Sequence, residues 1–261
     1  MSPTDDPTRP QGAAPRSEFV WVDHRGPTTV ATPQQVEQLD RDGYFVLEHA
    51  FHPDTMSEVM RALALEAGTI ELALPAVASD DAPSDVLRRF CSHPLLAGLA
   101  RDFIGPDARV FADHAVTQAD PHDRVPAPFT QDVRAGQSEP TQFLTCWVAL
   151  TDADTASGCL QIAATRHRRG VLTYDLAEQP ATSADVDPAV IVDVEAPAGS
   201  VVVMSSLTPR RLRPSESEPP ALVYAIQYVN DSVVTVDDDL ALTHPRRQFP
   251  VVRGGQLVGP S

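Results

Sequence analysis

Two short stretches hold the residues most able to do chemistry. In PAPFTQDVRAG, residues 126–136, the carboxylate Asp132 stands two positions after Thr130, with Gln131 between them. Alternate residues of an extended segment share a face. An iron-binding version of this pattern would carry a histidine at position 130, where this chain has threonine. In SSLTPRRLRP, Arg210, Arg211 and Arg213 form a basic run within an acidic chain. A neutral hydroxyl is a poor metal ligand, and a guanidinium is none, because it stays protonated and offers no acceptor. A carboxylate and a guanidinium can instead pair through two N–H···O bonds and present a fixed positive group to a substrate oxygen. The same arginine run also reads as a solvated loop held by salt bridges.

Composition removes whole classes of function. The chain contains no lysine, so all 20 basic residues are arginine, and lysine Schiff-base chemistry and a Walker-type phosphate lysine are excluded. Cys91, Cys146 and Cys159 are odd in number and form no C-x-x-C pair, which points to buried reduced thiols. A net charge of −16 repels nucleic acid and anionic membrane surfaces and serves solubility. No apolar run approaches the roughly 20 residues needed to span a bilayer. The first 18 residues are polar and Pro-rich without the blocks of a signal peptide, so a disordered tail and a cytoplasmic protein are expected. The expected partner is a small-molecule substrate, with no nucleic acid and no membrane; a homo-oligomer stays open.

The elements that must position these residues change character along the chain. ATPQQVEQLDRDGYFVLEHAF predicts a helix capped by Thr32, with Pro33 in its first turn and Gly43 at its end, followed by a strand. Met56, Val59, Met60 and Leu63 have helical spacing, and two short helices are expected on either side of a break near Pro94. Beyond residue 107 come short β-branched or aromatic runs separated by Gly, Pro, Asp and Ser, the pattern of a sandwich or barrel. Helices first and strands later indicate an α+β domain over residues 19–245. Residues 246–261 read as a loose tail in which a last short strand is possible.

Three of these stretches resemble phytanoyl-CoA dioxygenase-like proteins. QLDRDGYFVLEHAF looks like their opening helix and strand. LTCWVALTDADTASGCLQIAATRHRRGVL resembles their central signature of Trp-bearing strand, acidic turn, Gly-Cys-Leu strand and GSH-x-x-G-like loop. PAGSVVVMSSLTPRRLRPSESEPPALVYAIQYV resembles their closing segment, and together the three cover most of residues 33–229. The resemblance implies a double-stranded β-helix, a jelly-roll or cupin-like core with N-terminal flanking helices. It also implies Fe(II) held by a 2-His-1-carboxylate triad, with 2-oxoglutarate as co-substrate. On that pattern the first histidine falls on Thr130, the carboxylate on Asp132 and the distal histidine on Arg210. The arginine that clamps 2-oxoglutarate falls in Pro219–Pro220–Ala221, and a helpful front-strand lysine falls on Gln118. With these ligands replaced, neither metal nor 2-oxoglutarate is expected here.

Asp132 and Arg210 are thus the candidate catalytic pair, the guanidinium standing where the cation stood; the alternative is that both turn to solvent and the pocket partly collapses. Thr130, Gln131, Trp147, His167, His114 and Gln118 are candidate substrate-binding residues. Trp147 also reads as core, and His167 as a structural part of its loop. Asp113 and His114 are adjacent on one strand, so only one of them faces inward. A substitute metal site from His114, His122 and Asp132 is a further arrangement. The expected function is a metal- and 2-oxoglutarate-independent enzyme of bacterial natural-product biosynthesis doing cyclisation, isomerisation or dehydration. The alternatives are a non-catalytic pseudo-oxygenase that binds a small molecule or partner, and an oxygenase with atypical ligands.

Overall fold

The computed structural model describes residues 27–67, 84–117, 127–132, 142–170, 172, 186–231 and 248–259. The expected tail 1–18, Gln118 and His122 lie outside the described residues.

Helix α1, Pro33–Asp42, starts and stops as its sequence dictates. The Thr32 hydroxyl accepts from the Gln35 amide while the Gln35 side chain accepts from the Thr32 amide, a reciprocal capping box. Gly43 ends it in the left-handed region, φ 87°, and lies against Thr208 and His167, where any side chain would collide. Helix α2, Pro53–Ala67, presents Met56, Val59 and Leu63 to the core. Pro94 separates α3, Asp85–Cys91, from α4, Pro94–Ile104, whose buried face covers the sheet.

The β-core has two antiparallel sheets. Strands β1 (Tyr44–Leu47), β2 (Ala108–Val116), β3 (Phe143–Ala149), β6 (Val201–Ser205), β8 (Val223–Asn230), β9 (Phe249–Arg253) and β10 (Gln256–Leu257) form the larger, in the order β1-β6-β3-β8-β2-β9-β10. The smaller comprises β4 (Leu160–Ala163), β5 (Ile191–Val194) and β7 (Arg210–Leu212), in the order β5-β4-β7. This is the α+β double-stranded β-helix expected from sequence. Two local expectations are corrected. Residues 249–257 are two strands of the main sheet, with β9 paired to β2, so the C-terminal segment is no loose tail. The arginine run is not a solvated loop; its first residues form β7, paired with β4.

Strict alternation divides the large sheet into two faces. The outer face, with Leu144, Cys146, Val203, Tyr224, Ile226 and Tyr228, packs under α1–α4 in the main hydrophobic cluster. The inner face faces the small sheet and is layered by register: Val202, Trp147, Ala225 and His114 lie abreast in one row, and Met204, Thr145, Gln227 and Ala112 in the next. Most of the first row packs against Leu160 and Ile162 of the small sheet.

Candidate active site

The segment 130–132 is tied down at both ends. Thr130 and Arg210 exchange backbone hydrogen bonds, at 2.8 and 2.9 Å, and the Asp132 amide donates to the Ser206 carbonyl at 3.0 Å. Arg210 also lies opposite Ile162 in the β4–β7 ladder, so its side chain takes the inner face while Arg211 takes the outer one. The guanidinium thereby enters the space between the sheets, where Nη2 donates to Asp132 Oδ1.

Asp132 is surrounded by donors. Gln227 Nε2 reaches Oδ1 at 2.6 Å, and the Thr145 hydroxyl reaches Oδ2 at 2.6 Å. Only 3% of its side chain is exposed. Burying a carboxylate this deeply is costly unless it is paired and hydrogen-bonded, and here both oxygens are engaged from three directions. Thr145 and Gln227 went unrecognised in the sequence. The available signal was parity: each is a polar residue at an inward position of an otherwise apolar strand, and Thr145 shares its face with Trp147.

Above the pair stands Trp147. The Arg210 guanidinium carbon lies 5.8 Å from the centre of a Trp147 ring, within cation–π range. Both residues are more than nine-tenths buried, Arg210 8% and Trp147 7% exposed. Among the described residues, Trp147 Nε1 and Arg210 Nη1 are buried without a partner. Such orphans are few in native structures, and each asks for a reason.

The other expected site residues divide. His114 takes the inner face, two strands from Trp147 across Ala225, and Asp113 takes the outer face, where it accepts the Tyr224 hydroxyl at 2.5 Å. Thr130 is exposed beside Arg210 on the same face of their bridge. Gln131 is turned to the neighbouring loops. Its amide nitrogen donates to the carbonyls of Leu207 (2.6 Å) and Gly170 (3.2 Å), and its oxygen accepts from the Leu172 amide at 2.7 Å, so all its polar capacity pins loops together. His167 is likewise structural. It packs against Gly43, and its Nε2–H donates to the Asp40 carbonyl at 3.2 Å, clamping its loop to the end of α1. Burial pushes its pKa below the ordinary imidazole value, only partly offset by the bond to Asp40. Arg211 lies over Phe129 and donates to Gln161 at 2.8 Å, and Arg213 pairs with Asp193 at 3.0 Å; both serve the outer side of the small sheet.

Iron and 2-oxoglutarate can be tested against these residues. A divalent ion at Asp132 would meet a guanidinium on one side and a threonine on the other. Like charges within bonding range cost several kcal/mol even at an effective dielectric of about 20. Among the described residues no three His, Cys, Asp or Glu side chains are grouped to hold a metal. The inward positions at the start of β8 are Val223 and Ala225, which offer no cation to a dicarboxylate. The donor set does not fit the pair.

Comparison with known proteins places the fold. The profile of the phytanoyl-CoA dioxygenase (PhyH) family matches residues 26–209, ending one position before Arg210. No curated protein is a significant sequence match. Among solved structures, the non-heme alpha-ketoglutarate dependent carbocyclase SnoK from nogalamycin biosynthesis superposes with a TM-score of 0.63 at 20% identity, covering 78% of this chain and 87% of its own. The epimerase SnoN, in complex with Fe3+, alpha-ketoglutarate and nogalamycin RO, gives 0.58 at 20% identity over 76% and 82%. EvdO2 from Micromonospora carbonacea var. aurantiaca, complexed with 2-oxoglutarate, gives 0.62 at 20% identity over 84% and 98%. With the match spanning most of its length and the jelly-roll core in place, the chain belongs to the phytanoyl-CoA dioxygenase family.

Proposed function

We propose that this protein is a metal- and 2-oxoglutarate-independent enzyme that performs acid–base chemistry, a cyclisation, isomerisation or dehydration, on a natural-product intermediate. The observation that carries the reading is the Arg210–Asp132 pair, in which a guanidinium is bound to the carboxylate that the resemblance assigns to a metal. The biosynthetic setting is supported by the solved relatives from nogalamycin biosynthesis.

The geometry favours a particular division of labour. Arg210 polarises a substrate oxygen and stabilises negative charge that develops on it. Asp132 was the expected base, but both of its oxygens are already hydrogen-bonded; it is better suited to hold Arg210 in place. His114, the imidazole on the inner face, is the side chain placed to take or give a proton.

The test is conversion of candidate intermediates by untagged protein in EDTA. Turnover that persists in EDTA, needs no 2-oxoglutarate and falls by about 10² or more in Arg210→Lys and His114→Gln is expected. Succinate formation on adding Fe(II) and 2-oxoglutarate would overturn the reading. A second reading, a non-catalytic binding protein, draws on the dense apolar packing around Trp147, Val202, Met204 and Ile162; it predicts ligand binding with no conversion.

A further inference from the structure

Among the described residues, buried side chains leave four polar atoms without a partner, and two of them, Trp147 Nε1 and Arg210 Nη1, belong to residues within cation–π range of each other. The other two, on Ser92 and His167, lie elsewhere, and that of His167 is the unprotonated Nδ1 of a ring whose Nε2 carries the proton. The Arg210–Trp147 pair is therefore distinct: the guanidinium lies 5.8 Å from the centre of an indole ring, and each residue carries a buried N–H donor with no acceptor among the described residues.

We propose that these two donors form a recognition site for a neutral carbonyl oxygen, so that the substrate is a ketone, ester or related uncharged carbonyl compound with a flat apolar body. This rests on the function proposed above and specifies its substrate. Two features select the chemistry. First, both groups are donors, so the ligand atom is an acceptor, and an oxygen with two lone pairs can take one bond from each. Second, charge is already balanced. Arg210 is neutralised by Asp132, which is engaged on both oxygens. A carboxylate entering here would add an uncompensated anion close to Asp132 in a poorly solvated space, whereas a neutral carbonyl would not. A ground state that is neutral and a transition state that is anionic is also what a donor pair of this kind discriminates best. The body of the ligand is set by the neighbours. Ala225 beside Trp147 and Ala112 beside Gln227 are the small side chains of the inner rows, and Val116 and Val223 belong to the same apolar cluster as Trp147, surroundings that match an apolar ligand body.

The indole N–H provides the readout. The chain has two tryptophans, Trp21 and Trp147, so protein labelled with 15N-tryptophan gives two indole signals, assigned with Trp21→Phe. Three probes of similar size are titrated in EDTA: acetophenone, benzoate and toluene. Acetophenone is expected to move the Trp147 indole proton downfield and saturably, binding roughly tenfold more tightly than toluene, as loss of one such hydrogen bond implies. Benzoate is expected to bind more weakly than acetophenone. The double substitution Arg210→Met with Asp132→Asn, which keeps the site neutral, is expected to abolish the preference for acetophenone over toluene. Benzoate binding as well as acetophenone, or no movement of the Trp147 signal with any probe, overturns the carbonyl site. A separate arm adds Fe(II) under argon: paramagnetic loss of the Trp147 signal would count against the metal-free function while leaving the carbonyl titration to stand or fall alone.

Discussion

Thr130 and Arg210 face each other across an isolated antiparallel bridge, each backbone amide donating to the other's carbonyl. Directly opposed residues project from one face, so the two positions at which the resemblance implies histidines are neighbours beside Asp132. Restoring both imidazoles, Thr130→His with Arg210→His, is therefore expected to create a saturable Co(II) site, read by calorimetry and by the visible absorption of the bound ion. Neither single variant should have it. A double variant that folds but takes up no Co(II) would mean that the backbone, too, has left the metal-binding geometry.

Arg210 and Asp132 should also be strongly coupled in stability. Removing one partner of a buried pair leaves an uncompensated charge, at a cost of about 3–5 kcal/mol. Arg210→Met and Asp132→Asn are each expected to destabilise, the arginine substitution more, since it strands the anion. The double variant should recover most of that loss. Urea unfolding of the four proteins gives the cycle, and additive losses would mean that the pair is not a unit.

A second buried carboxylate holds the start of the described chain. Asp102 of α4 accepts the amides of Thr29, Val30 and Ala31 on one oxygen, at 3.0, 2.7 and 2.9 Å, and the Thr29 hydroxyl on the other. Asp102→Ala strands these donors and should cost about 3 kcal/mol. Protease cleavage before α1 should accelerate in step, with the inner-face site unaffected in the Trp147 indole spectrum.

His167 gives a pH dependence of definite sign. Its folded-state pKa is depressed, first by burial, and its neighbours Asp40, Asp42 and Arg168 only modulate this. As pH falls through the ordinary imidazole value of about 6.5, the unfolded chain takes up the proton before the folded one does. Stability is thus full above that value and is lost on acidification until the folded pKa is reached. His167→Gln should flatten the slope between pH 7 and 5 in denaturant titrations. Some slope persists, because burial depresses His93 in the same direction. An unchanged slope would remove His167 from the account.

Much of this could be seen in the sequence, for physical reasons that differ by element. Helix α1 was legible because its cap, first-turn proline and terminal glycine are local signals. The strands β3, β6 and β8 were legible as β-branched and aromatic runs. Strand β7 was not: Arg210–Leu212 is short and charged, and only its pairing with β4 makes it a strand. Strand β9 was hidden by Pro250 and the following glycines, although its pairing with β2 tolerates the proline. Asp132 and Arg210 were found through resemblance and chemistry, and the pairing expected of them is what the geometry contains. Gln131 was offered as substrate-binding because adjacency in sequence says nothing of direction, whereas the structural reading of His167 in its loop agrees with its contact to α1. One points away from its neighbour Asp132, and the other is turned toward α1.

The strand order has a consequence for how the molecule is made. Every ladder of the large sheet includes β6, β8 or β9, all beyond residue 200. While the nascent polypeptide is shorter than that, β1, β2 and β3 have no mates, and only the helices and the small β4–β5 ribbon can form on the ribosome. The sheet must then zip from distant segments at once, which places this chain among slow folders and makes its unfinished edges customers for chaperones.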